Sequence, residues 1–236
     1  MAILVCAATA IELAALAPSR FPDPAAIPEM QPLLAETRAG TLIFLVTGVG
    51  PINAALAMGH CLGLMREQEK ITGIIYAGLA GAFDLELTPL CAICAIDREI
   101  WPEYGLNDGI TVTARAFKHP VWERGEESIY EEIKLGELSA LPLNLPKMPD
   151  WQICSSLTVA GVTASFQRRD ALWNKWHAQL ENMEGFAAAY VALRAEIPFA
   201  EIRVVSNKTG PRRPEEKDFD RALLTLGEIL PALNLG

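Results

Sequence analysis

A chain of 236 residues with 20 Lys+Arg against 29 Asp+Glu carries a formal charge of −9, which argues against nucleic acid or an anionic membrane surface as partner. With 51% hydrophobic and 21% charged residues the chain can bury a sizeable core, and this composition excludes a mainly disordered protein. Five cysteines, an odd number set mostly in apolar runs, fit reduced thiols of a cytoplasmic protein better than a disulfide framework.

The first predicted element is a buried strand, Ile3–Ala8. The opening "MAILVCAATAIELAALAPSR" is not read as a signal peptide, because it has no basic leading region and Glu12 interrupts the apolar run. No segment reaches the ~18 uninterrupted apolar residues of a membrane helix. Further strands are predicted at Leu42–Thr47, Gly73–Gly78, Leu90–Ile96, Ser155–Val159 and Ile202–Ser206. Helices are predicted at Pro51–Gln68, Arg169–Gln179, Phe186–Ala195 and Glu215–Leu230, the last led by a proline and two acids suited to a helix start. Strands followed by small residues and then helices give βα alternation. The expected fold class is therefore α/β: three layers, α/β/α, around a mixed, mostly parallel central sheet. One domain is expected over residues 1–236, with 99–150, rich in proline, tryptophan and charge, as an elaborated connection.

Two motifs point to cofactors and are set aside. Cys91-Ala-Ile-Cys94 has the spacing of a zinc or redox pair, but no second pair accompanies it, and His60, His119 and His177 lack ligand spacing. Gly48-Val49-Gly50 continues as Pro51-Ile52-Asn53-Ala54 and does not complete a dinucleotide fingerprint. Neither metal nor cofactor is expected.

Glu184, in the phrase Asn-Met-Glu-Gly, lies between a strand-like run and an Ala-rich helical run. Carboxylates are rarely buried without a partner. Ligands of open parallel sheets bind beyond the carboxyl ends of the strands. Glu12, Gly48–Gly50, Gly78–Gly81, Met183–Glu184 and Ser206–Asn207 each follow a predicted strand or open a helix, which places them on one rim.

Five motifs in order carry a resemblance: "AATAIEL" (7–13), "VTGVGPINAALA" (46–57), "AGLAGAF" (77–83), "ENMEG" (181–185) and "IRVVSNKTG" (202–210). Together they resemble the nucleoside phosphorylase/nucleosidase superfamily, near the methylthioadenosine/S-adenosylhomocysteine nucleosidases and nearer still to the futalosine hydrolases of the alternative menaquinone pathway. The resemblance implies hydrolysis of a purine N-glycosidic bond without a cofactor, a small-molecule nucleoside as partner, and a homo-oligomer. It makes Glu12 the carboxylate that deprotonates the attacking water, and Glu184 the clamp on the ribose 2′- and 3′-hydroxyls. Met183 would line the sugar face and Phe166, in "TASFQRR", would pack on the base. Arg203 would sit near the water and Glu12, and Asn207, after Ser206, would read the base. Leu79 and Gly81 fall in the substrate-binding "AGLAGAF" stretch.

The chemistry calls for these groups in any case. The transition state is oxocarbenium-like, so a carboxylate on the water side removes a proton as the new bond forms. An ionised Glu on the ribose hydroxyls gains as the ring loses electrons. Adenine-specific relatives carry aspartate where this chain has Asn207, and serine where it has Leu79. An amide NH₂ can donate to both O6 and N7 of hypoxanthine, although it can also read adenine. Relatives acting on 6-oxopurines tend to carry Asn at this place, so together with the resemblance a 6-oxopurine nucleoside is the expected substrate. Alternatives are an aminofutalosine or methylthioadenosine nucleosidase, a phosphorylase, and a non-catalytic nucleoside-binding protein. For the 5′ carboxylate Arg115, Lys118, His119, Arg168, Arg169 and Lys208 are candidates, with Trp101 and Tyr104 as cover. Plainer roles compete: Glu12 as a first-turn acid, Arg203 as a structural ion pair, Phe166 as core, Asn207 as a turn residue.

Overall fold

The computed structural model describes residues 2–37, 40–109, 112–143, 145, 147 and 149–235. Nine strands form one sheet: β1 Ala2–Ala7, β2 Leu33–Thr37, β3 Gly40–Val46, β4 Ile71–Ala82, β5 Ile93–Ile100, β6 Glu132–Lys134, β7 Gln152–Thr158, β8 Leu180–Asn182 and β9 Phe199–Lys208. Outside the 99–150 connection, which holds a further helical turn at Ala114–Phe117, the helices are α1 Ala10–Leu16, α2 Pro51–Met65, α3 Phe166–Trp176, α4 Gly185–Arg194, α5 Phe219–Leu226 and α6 Ile229–Ala232.

The alternation of β1 assigns the layers. Ile3, Val5 and Ala7 join a core with Leu13, Leu16, Leu226 and Ile229 of α1, α5 and α6. Leu4 and Cys6 face the other way, into a core with Ala57, Met58 and Cys61 of α2 and Phe186 and Ala188 of α4. A period of two in the strand therefore buries both faces, and the α/β/α sandwich follows. The sheet is mixed: β1 runs parallel to β3 and β4, β7 to β5 and β8, and β9 to β4, while β2, β6 and β8 add antiparallel pairs.

One part of the sheet closes on itself. β4 pairs with β8, β8 with β7, β7 with β5, β5 with β9, and β9 again with β4. On β9 the residues Phe199, Glu201, Arg203 and Val205 share one face, opposite Ala200, Ile202 and Val204. Phe199 belongs to the α2/α4 core and Val205 to a cluster with Ala80, Ala82, Cys94, Cys154 and Leu180. Glu201 and Arg203 lie between them.

Several predicted boundaries move. β4 runs to Ala82 and β9 to Lys208, so Gly78–Gly81 and Ser206–Asn207 lie within strands rather than after them. α3 starts at Phe166, where Ser165 accepts from the Arg168 amide, and ends before His177 in the left-handed region. The helix expected at Glu215–Leu230 is broken: a single turn spans Pro214–Glu216, Asp218 caps α5 by accepting from the Arg221 amide, and α6 follows as one turn. The sequence pattern does not predict strands β2, β6 and β8.

The 99–150 connection holds two small ribbons, Leu106–Asn107 with Val112–Thr113 and Trp122–Arg124 with Glu127–Ile129, before β6 joins the sheet edge. Residues 110–111, 144, 146 and 148 of that connection lie outside the described residues. Of the Cys91/Cys94 pair, Cys94 is buried with its thiol against Cys154 and Cys91 is half-buried. Among the described residues no cluster has the makeup of a metal site, and no helix is long and apolar enough to cross a membrane.

Candidate active site

Glu12 is held by the helix it helps to start. Thr9 caps α1, and Glu12 at the third helical position returns the bond: its Oε2 accepts from the Thr9 amide at 3.0 Å and hydroxyl at 2.8 Å. Its Oε1 accepts from the Leu79 amide of β4 at 2.9 Å. The carboxylate is thus both a first-turn acid and a group fixed against β4, 8% exposed.

Glu184 is held from three sides. Its Oε1 accepts from the Gly50 amide at 2.9 Å, and its Oε2 lies 3.4 Å from Arg203 Nη1. Gly50 has φ +93°, a conformation glycine adopts without strain, and this turns its N–H from the start of α2 towards Glu184. The backbone beneath is fixed by neighbouring strands. Asn182 Oδ1 accepts from the Glu184 and Gly185 amides, both at 2.8 Å, and Thr158 Oγ1 accepts from Phe186 at 2.7 Å. These side chains satisfy the first amides of α4, which its own sequence leaves uncapped. Burial pushes the Glu184 carboxyl above the usual carboxylate range, with Arg203 and the Gly50 amide opposing that rise.

Arg203 is the largest fully buried side chain. Its Nε donates to Glu201 at 2.7 Å, Nη2 to Asn182 Oδ1 at 3.1 Å, and Nη1 to the Leu79 carbonyl at 3.4 Å. The guanidinium lies 5.2 Å from the centroid of the Tyr76 ring, whose hydroxyl is 2.7 Å from Thr47 Oγ1. Arg203 reaches Glu12 indirectly: an ideal Cβ on Gly78 would lie 2.9 Å from Glu12 Oε1 and 3.1 Å from Arg203 Nη1. Glycine at 78 lets both groups converge over the strand.

Asn207 is oriented by its neighbours. Its Oδ1 accepts from Ser206 Oγ at 2.9 Å and its Nδ2 donates to the Lys208 carbonyl at 2.9 Å. No second acceptor for that Nδ2 group is present among the described residues. An ideal Cβ on Gly81 would lie 3.2 Å from that nitrogen and 2.8 Å from Thr209 Oγ1, a buried hydroxyl with no partner among the described residues. Leu79 contributes through its backbone while its side chain packs on the core, and Met183 is half-buried beside Glu184.

Phe166 is the first residue of α3. It is 46% exposed, with the guanidinium carbons of Arg169 and Arg213 at 5.0 and 5.4 Å from its ring centroid. Of the proposed 5′ cations, Arg168 pairs with Glu103, Arg169 with Asp170, and Lys208 with Glu216. Trp101 and Tyr104 stack at 5.2 Å, and Trp101 touches Phe186, two residues after Glu184. The wall continues through Phe117, in contact with both Tyr104 and His119.

Sequence reasoning missed the floor of the site: Glu99, Glu201, Asn182, Thr158 and Tyr76. Only Glu201, two residues before Arg203 on the same strand face, left a signal that could have been used.

Comparison with known proteins accords with this geometry. The chain is 29% identical to the futalosine hydrolase of Thermus thermophilus, over 81% of this chain and 77% of that one. It is also 29% identical to that of Streptomyces coelicolor, over 99% and 92%. Among solved structures, a mutant futalosine hydrolase of Helicobacter pylori superposes with a TM-score of 0.72 at 14% identity, over 99% and 98% of the two chains. A 5′-methylthioadenosine/S-adenosylhomocysteine nucleosidase of that organism, solved with butyl-thio-DADMe-Immucillin-A, gives the same TM-score and identity. The family profile of the Phosphorylase superfamily matches residues 2–230, and the chain belongs to that superfamily.

Proposed function

We propose that this protein hydrolyses the N-glycosidic bond of a 6-oxopurine nucleoside, with futalosine as substrate and hypoxanthine as the released base. The observation that carries the reading is the pair of separately held carboxylates on either side of Arg203: Glu12 on α1, which meets Arg203 Nη1 over Gly78, and Glu184 before α4, 3.4 Å from the same nitrogen. Two curated relatives that span most of this chain are futalosine hydrolases, which supports the substrate.

In this reading Glu184 accepts from the ribose 2′- and 3′-hydroxyls, and its charge stabilises the oxocarbenium-like sugar. Glu12 takes the proton of a water attacking the anomeric carbon. The base leaves with the free Nδ2 proton of Asn207 on its O6/N7 edge, the amide being kept from flipping by Ser206 and the Lys208 carbonyl. The whole chain acts as one unit, in the cytoplasm, and supplies menaquinone biosynthesis. The carboxyphenyl end of futalosine lies along the Trp101–Tyr104–Phe117–His119 wall, with the exposed Lys118 for its carboxylate. The protein is a homo-oligomer, a reading supported by the exposed Ile52, Leu56 and Leu64 on α2. Light scattering should therefore give at least twice the chain mass, and a monomer at micromolar concentration would refute that part.

The decisive assay is base release in phosphate-free buffer from futalosine, aminofutalosine, methylthioadenosine and inosine. Hypoxanthine from futalosine is the expected product. Adenine from the amino compounds would overturn the role of Asn207 while keeping the two glutamates. Turnover only with added phosphate would make the protein a phosphorylase, and no turnover under either condition would make it a binding protein.

A further inference from the structure

Beside Gly185, the residue after Glu184, two more carboxyl groups come together in full burial. Glu99 of β5 is 0% exposed and Glu201 of β9 1%. Both lie against Gly185, where any Cβ would run into the oxygens of both. Glu201 Oε1 accepts from Arg203 Nε at 2.7 Å and lies 3.3 Å from Asn182 Nδ2. Its Oε2 finds no N–H or O–H donor among the described residues. Glu99 Oε2 accepts from Thr158 Oγ1 at 2.6 Å, and Glu99 Oε1 lies 2.6 Å from Asn182 Nδ2, which also donates to Ser156.

The charges do not balance if every group is ionised. Glu99, Glu184 and Glu201 would set three negative charges around the single positive charge of Arg203, with the buried Tyr76 neutral. A buried charge without a partner is costly enough that the group neutralises instead. Burial raises both carboxyls, but at Glu201 the Arg203 charge and its direct hydrogen bond oppose the rise, whereas at Glu99 the neighbouring Glu201 charge adds to it, so the proton is assigned to Glu99. A carboxylic O–H on Glu99 also supplies the donor that Glu201 Oε2 lacks.

We propose that Glu99 and Glu201 form an acid–carboxylate pair sharing one proton, which anchors Arg203 at Glu201 and thereby leaves Glu184 its negative charge for the ribose. The distances carry the second half: Arg203 sits 2.7 Å from Glu201 and 3.4 Å from Glu184. Released from Glu201, the guanidinium would move onto Glu184 and neutralise it. Both acids are positioning residues, since neither reaches the substrate. The groups facing the pair are Arg203 on its own strand, Glu184 at the head of α4, Asn182 on β8, Ser156 and Thr158 on β7, and Tyr76 on β4. The effect on turnover rests on the hydrolase reading, whereas the shared proton does not.

The test is therefore split. In ligand-free wild type, infrared spectroscopy at neutral and mildly alkaline pH should show the C=O stretch of a protonated carboxylic acid, shifting in D₂O. Glu99→Gln, which replaces the acid by an uncharged amide, should diminish that band. Absence of the band in wild type, or an undiminished band in Glu99→Gln, overturns the shared proton. The wild-type spectrum decides this even if the variant does not fold. Glu201→Gln should lower kcat/KM about 10–100-fold and move its acid limb to lower pH, because Arg203 then stabilises ionised Glu184 more strongly. A loss without movement of the limb would reduce Glu201 to a structural acid and overturn the positioning role.

Discussion

Glu12→Gln is expected to lower kcat about 10²–10⁴-fold, the range for loss of a positioned general base, while nucleoside binding persists. Gln has the shape of Glu but does not take a proton from water at neutral pH. The substitution also has a structural cost, because Glu12 accepts from Thr9 twice and from Leu79 once. One amide nitrogen must then face an N–H donor, at about 1–2 kcal/mol from the lost cap and the unsatisfied group. Thermal unfolding and calorimetric titration with a non-hydrolysed nucleoside analogue separate the two effects. A folded variant that binds without turning over confirms the role, and one that keeps full turnover removes Glu12 from the chemistry.

Glu184→Gln should cost kcat/KM about as much by a different route. Each charge-assisted hydroxyl contact is worth about 1.5–3 kcal/mol, so two contacts amount to about 3–6 kcal/mol, or about 10²–10⁴-fold. The pH profile gives the more specific signature. Burial raises the Glu184 carboxyl, and the ionised form is the active one, so kcat/KM should be full above the raised pKa and fall as pH drops through it. That acid limb should lie above the ordinary carboxylate range and vanish in the variant. Turnover within severalfold of wild type, or an unchanged limb, would sink the ribose assignment.

The sequence made the layers and the rim legible because both depend on local pattern. Alternating or continuous apolar runs marked six sheet strands within a few residues, and Ala-rich stretches marked α2 and α4. Gly78–Gly81 of "AGLAGAF" is expected just after a strand, yet β4 continues through it. Gly78 and Gly81 are small because Glu12, Arg203, Asn207 and Thr209 side chains arrive over them from other elements, which no local pattern reveals. The three-residue β8 and edge strand β2 were too short or too polar to register. Glu99 follows Asp97 and Arg98 and reads as part of a solvated charged run. It is buried because a bulge in the β5–β7 pairing near Asp97 changes which residues face inward. Asn182 likewise reads as a turn residue, and only tertiary structure turns its amide into a cap for α4.

The closed circuit of strands also fixes an order of events as the chain leaves the ribosome. β9 is the last strand in the sequence and fills the gap between β4 and β5. Until residues 199–208 have emerged, β4 and β5 each present a bare edge, the arrangement most prone to sticking to another chain. Glu99 and Glu184 then also wait without the arginine and the fellow acid that arrive together on β9. The nascent chain therefore carries its polar groups uncompensated until β9 emerges, and one strand both seals the sheet and completes the site.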